Sequence, residues 1–280
     1  MSALLYRHLF DDAALFPPGN APLGQALPEH RQHRAGHRAE YVGPFLVSQA
    51  RVAELRTLLE REEGDHEPLA TVVTVPGGAE ALPGAVAAAQ GRRLRLVGLE
   101  VAAAPGGVDA VTEALGRHLP AGMSAYVEIS RQGRVRDDLA ELADTGHHAK
   151  FRTGGVLARA HPDEAELATN LHATVGAGLS FKCTAGLHHA VRHTTPEGFE
   201  QHGFLNVLLA TAALLEGATA ADAEAVLAER DGPALAAAAS RMGPAQAERV
   251  RATFHSFGTC SITEPLEDLV VLGALPATTP

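Results

Sequence analysis

Lysine is almost missing from this chain. Its 280 residues include 21 arginines but two lysines, Lys150 and Lys182. Arginine stays protonated near neutral pH, whereas a desolvated lysine can lose its proton and attack a carbonyl, which is a physical reason to keep lysine at two places. Tryptophan is absent and aromatic residues make up 4%, so the core has to be built from Ala, Leu and Val. The two cysteines, Cys183 and Cys260, are too few for a disulfide framework and point to a reducing compartment. Positive charge is also short: a net charge of −10 excludes the cationic footprint that a nucleic-acid partner needs. No apolar run is long enough to span a bilayer, and acidic Asp11 and Asp12 interrupt any signal-peptide core. The expectation is a soluble, cytoplasmic protein with neither nucleic acid nor membrane as partner.

What is present is a rhythm. A first strand is expected in Asp12-Ala13-Ala14-Leu15-Phe16-Pro17-Pro18, followed by a polar His- and Arg-rich stretch over about 22–39. Strands are then expected at 41–48, 69–75, 94–101 and 125–130, and around Lys150 and Lys182, with helices at 49–62, 78–90, 107–118, 133–144 and 163–176 between them. Strand-to-strand spacing from Leu69 onward is roughly 25–32 residues, the length of one βα repeat. Residues 197–255 are Ala/Leu-rich and too long for one crossover, so two or three extra helices are expected there. Ser256 to Ser261 reads as the last strand, followed by a helix over 264–275. The fold class is therefore α/β: a (β/α)8 barrel in a single domain over 1–280, with extra helices (about 218–255) inserted between strands seven and eight.

Lys150 falls on strand six and Lys182 on strand seven. Alternation puts Lys150 on one face with His148 and Arg152, and Lys182 on one face with Ser180 and Thr184. Neighbouring strands lie about 4.8 Å apart. Two ammonium groups about 6 Å apart repel by roughly 2.8 kcal/mol at an effective dielectric of about 20, or about two pKa units. That repulsion, with desolvation, is expected to bring one amine toward neutrality. Glu100 and Glu128 are carboxylates inside otherwise apolar strands, expensive unless paired. Both are candidate proton carriers, and both are equally able to neutralise a lysine.

The runs Lys150-Phe151-Arg152-Thr153-Gly154, Phe181-Lys182-Cys183-Thr184-Ala185-Gly186 and Gly258-Thr259-Cys260-Ser261 resemble those of class I, Schiff-base aldolases of the deoxyribose-phosphate aldolase type. The resemblance implies that Lys150 forms the imine with a substrate carbonyl, that Lys182 lowers its pKa, and that Glu100 stands where the family carries an acidic residue on strand four.

Further candidates follow strands seven and eight. His188 is a candidate proton shuttle and His189 a substrate contact. His188, His189 and His193 also make a divalent metal site the alternative to a cofactor-free enzyme. Arg152, Thr184, Gly186, Gly258, Thr259 and Ser261 are candidates for holding a phosphate or carboxylate at the strand-seven and strand-eight turns. Glycines there can equally serve only to turn the chain. Cys183 should face the helices and Cys260 borders the site. Together these expectations describe a lyase or aldolase acting on a small carbonyl compound, phosphorylated or carboxylated forms included, without a cofactor. A metal-dependent lyase or hydrolase using His188, His189, Glu100 and Glu128 is the second reading, and a non-catalytic barrel binding an anionic metabolite is the third. The Ala/Leu-rich insertion is also a candidate homo-oligomer contact.

Overall fold

The computed structural model describes residues 2–277. Seven parallel strands follow in chain order: β1 (Phe10–Asp12), β2 (Val42–Ser48), β3 (Leu69–Val75), β4 (Leu94–Ala102), β5 (Ala125–Glu128), β6 (His148–Arg152) and β7 (Phe181–Thr184). β8 (His193–Thr194) and β9 (Glu200–Gln201) form a small antiparallel hairpin apart from the barrel. β10 (Phe254–Thr259) then pairs with both β7 and β1 and closes an eight-stranded parallel barrel. A helix follows each barrel strand, so the expected (β/α)8 architecture is what the chain forms.

Alternation along the strands divides the side chains into two layers. Ala149, Phe151, Phe181 and Cys183 point outward into the main core between sheet and helices, where all four are buried. Lys150 and Lys182 point inward, as do Ala13, Leu46 and Val72, which form a separate small apolar cluster with Phe16 and Val97. Cys183 thus takes the expected position.

Two strand boundaries differ from expectation. The first strand is Phe10–Asp12, and residues 13–18 form the turn that leaves it. Asp11 and Asp12 belong to the strand because each has a buried partner, one on either face of the sheet. The last barrel strand begins at Phe254, two residues before the predicted start, and ends at Thr259. The stretch over 22–39, expected as merely polar, contains the helix Leu23–Ala35. Its buried residues Leu23, Ala26, Leu27 and His30 have i, i+3, i+4, i+7 spacing, with His30 at an apolar position because its Nδ1 lies 2.9 Å from Asp12 Oδ2.

Between β7 and β10 stand four helices, Phe204–Leu215, Ala220–Ala228, Gly232–Arg241 and Pro244–Thr253. The first is the ordinary crossover and the other three are the insertion. Buried Asn206 joins them: its Nδ2 donates to Val226 O at 2.9 Å and Glu229 O at 2.8 Å, and its Oδ1 accepts from Arg192 N at 3.0 Å. The inserted helices pack on the outer helices, and none of their residues lines the cavity at the strand ends. No helix among the described residues is long and apolar enough to cross a membrane.

Candidate active site

Strand register sets the centre of the site. Ala102 pairs with Glu128, Glu128 with Lys150, and Lys150 with Lys182, so one row of the barrel carries a carboxylate and two amines side by side. Glu100 lies one inward-facing position below Ala102 and reaches both lysines. Its Oε2 is 2.6 Å from Lys150 Nζ and its Oε1 is 2.5 Å from Lys182 Nζ. Lys150 also meets Glu128 Oε2 at 2.8 Å, and Arg152 Nε donates to Glu128 Oε1 at 3.2 Å. Lys182 Nζ donates to Asp11 Oδ2 at 2.5 Å. Three cations and three carboxylates therefore make one continuous, balanced row: Arg152, Glu128, Lys150, Glu100, Lys182, Asp11.

This arrangement corrects the expected electrostatics. The ammonium groups do not confront one another, because Glu100 lies between them. Burial raises the cost of the Glu100 carboxylate, but Lys150 and Lys182 outweigh it and pull the group down to about 2. Burial likewise works against the charged form of Lys182, yet Asp11 and Glu100 hold its ammonium above the ordinary lysine range. Lys182 is drawn up, not down. Burial pushes the Asp11 carboxyl up, opposed by Lys182 and by the Ser256 hydroxyl that donates to it at 2.6 Å.

Asp11 is the residue that sequence reasoning missed. Its signal was present: two adjacent acids between apolar Phe10 and Ala13 in a strand, where alternation must turn one inward. Gly43 on β2 is the matching allowance, since a Cβ there would stand 2.1 Å from Asp11 Oδ1. Below the lysines the interior stays polar. Tyr126 packs under Lys182, whose Nζ is 5.2 Å from the ring centroid, and Tyr126 Oη lies 2.9 Å from His255 Nδ1. His148 is bonded to Ser124 at 2.9 Å and Ser180 at 2.7 Å.

Above the row, a cavity of about 350 Å³ opens at the C-terminal ends of the strands, the end at which barrels of this kind carry their sites. Glu100, Glu128, Lys150, Arg152, Thr184, His188 and Gly258 line it, as does Cys260, whereas Lys182 does not. His189, Gly186, Thr259 and Ser261 lie outside the lining. Gly186, at φ +75°, packs backbone to backbone on the β6 turn: a Cβ at Gly154 would stand 2.7 Å from Gly186 Cα. Thr259 is buried and donates to Ser261 O at 2.9 Å, while Ser261 Oγ accepts from Glu264 N at 3.2 Å at the start of the helix Thr263–Val271. His189 faces Asp268, with Nδ1 to Oδ2 at 3.1 Å, and that contact raises its pKa.

The histidine cluster is divided. His188 turns to the cavity, with Nδ1 3.5 Å from Cys260 Sγ, and burial lowers its pKa to about 4. His189 and His193 instead pack edge to face at 4.6 Å. Among the described residues, no group of three or more His, Cys, Asp or Glu side chains is arranged to hold a metal ion.

No family model matches the chain, and no curated protein does. A solved structure of Yersinia pestis DHPS with a pterine-sulfa conjugate is similar at a TM-score of 0.43 and 12% identity, covering 96% of this chain and 94% of that one.

Proposed function

We propose that the protein is a Schiff-base lyase of the aldolase type, acting on a small carbonyl compound through Lys150. The observation that carries this reading is the asymmetry between the lysines: Lys150 borders the cavity, while Lys182 is sealed beneath it with no exposed surface. An amine inside a cavity wall, beside a carboxylate that solvent reaches and that can take its proton, is what imine formation needs.

The residues divide the work by position. Glu100 is pinned between two ammonium groups and stays ionised, so it is a fixed counter-charge. Glu128 touches Lys150, lines the cavity and keeps 21% of its side chain exposed, so it can pass a proton between amine and water. Lys150 gives a proton to Glu128, its nitrogen adds to the carbonyl carbon, and the oxygen leaves as water after protonation. The iminium then draws the electron pair of the bond between its α and β carbons into an enamine as that bond breaks, while Glu128, ionised again once water has left, takes the proton of the β-hydroxyl. An aldehyde departs, and protonation of the enamine followed by hydrolysis returns the amine. Lys182, with Asp11 and Ser256, positions Glu100 from below. Neutral His188 faces the cavity from the β7 turn, where it can contact the departing carbonyl.

Borohydride reduction in the presence of small aldehydes and ketones tests the reading. A covalent mass increase is expected in the native protein and not in Lys150→Met. Failure to trap any carbonyl compound would remove the Schiff base from the account.

A further inference from the structure

We infer that the cavity selects a carbonyl compound with an uncharged, aliphatic body, and that it discriminates against phosphorylated and carboxylated ones. This rests on the Schiff-base reading for the carbonyl; the preference for an uncharged body follows from the walls alone.

The first observation is charge. The charged groups lining the cavity are Glu100, Glu128, Lys150 and Arg152, two of each sign. Lys150 meets two carboxylates, and Arg152, though exposed, places its Nε on Glu128. An anion entering here loses its hydration, and each cation that it meets already stands beside a carboxylate, so the lining offers it no net positive charge. His188 supplies none either, because burial keeps its imidazole neutral at ordinary pH.

The second is the turn at which barrels commonly hold phosphate. Of the hydroxyl and turn residues expected there, Thr184 lines the cavity, while Thr259, Ser261 and Gly186 lie outside its lining. Thr259 is buried and donates to Ser261 O, and Ser261 Oγ accepts from Glu264 N outside the cavity lining. Gly186 is fixed against the β6 turn, and Thr153 Oγ1 reaches across to Ala185 O at 2.5 Å. The helix start itself carries Glu264, whose carboxylate is 3.6 Å from His188 Nδ1 and would repel a second anion.

The third is the opposite wall. Ala13, Phe16, Leu46, Val75 and Pro76 line it together with the hydroxyls of Ser48 and Thr74, continuous with the small apolar cluster inside the barrel. Val156, in the loop after β6, is 70% exposed at the rim, where an aliphatic ligand would cover it. Lys150 and the acids thus occupy one side of the cavity, and the other offers an apolar surface of the kind that holds the unreactive part of a substrate.

Titration calorimetry with hexanol and hexyl phosphate, neither of which can form an imine, tests the inference independently of the chemistry. Hexanol should bind at least tenfold more tightly to the native protein. Glu264→Gln should narrow that gap by strengthening hexyl phosphate severalfold, with hexanol unchanged. Equal or tighter binding of hexyl phosphate, or no binding of hexanol, overturns the inference. Borohydride trapping with hexanal and with a phosphorylated aldehyde of similar length separates the two claims. Hexanol preference without any adduct sinks the Schiff base and leaves the apolar cavity standing. An adduct formed best with the phosphorylated aldehyde sinks the selectivity and leaves the Schiff base standing.

Discussion

Lys150 and Lys182 are register partners on adjacent strands, each held by two carboxylates, yet they occupy different environments. Lys150 shares Glu128 with Arg152 at the cavity, where water reaches the carboxylate. Lys182 is enclosed by Asp11, Glu100, Ser256 and the ring of Tyr126. One residue type therefore serves two ends: chemistry where the barrel opens, and charge balance where it is closed. What separates them is the orientation of the strand-end carboxylates more than the lysines themselves.

The largest effect should come from breaking the enclosed member. Lys182→Met leaves Asp11 buried without its cation, which should cost about 3–5 kcal/mol in denaturant unfolding. Lys150→Met should cost less than half as much, because Glu128 keeps Arg152 and access to solvent. Equal losses would erase the distinction.

Acid should leave Glu100 ionised between the two lysines and act on the buried imidazoles. Glu100, pulled to about 2, remains ionised well below neutrality. His188, His202 and His255 are each lowered by burial from 6.5 to about 4. Between those values the unfolded chain binds more protons than the folded one, so this contribution to stability is complete above about pH 6.5 and is lost as pH falls toward 4. Urea midpoints should decline over that window, and a flat profile would contradict the assignment of neutral, buried imidazoles.

A smaller effect tests the allowance made for Asp11. Gly43→Ala should displace its carboxylate and destabilise by about 1–3 kcal/mol, in the range of overpacked interiors. The loss should largely disappear in an Asp11→Ala background, in which no carboxylate occupies the space, and simple addition of the two losses would speak against the contact.

Much of this arrangement was legible from spacing. The βα period set the strand numbers, and alternation with strand separation placed Lys150 beside Lys182 and faced both inward. Glu100 and Glu128 stood out as carboxylates in apolar strands. Spacing could not reveal that Glu100 would insert between the amines, because a side chain's reach across a barrel depends on stagger between strands, not on sequence. Asp11 escaped for a related reason. β1 is three residues long, too short for alternation to declare itself, and its partner Lys182 lies 171 positions away. The helix Leu23–Ala35 was obscured by its composition, with Pro28 inside it and His30 standing in for an apolar residue. Turn glycines were the most ambiguous of all. Gly186 reads equally well as an anion cradle or a close backbone contact, and only the 2.7 Å clearance beside Gly154 identifies the contact.

The most direct test is peptide mapping of the protein after borohydride reduction with a short aliphatic aldehyde at neutral pH. The account predicts a reduced adduct on the peptide bearing Lys150 and none on the peptide bearing Lys182. Modification at Lys182, or equally at both, would contradict it.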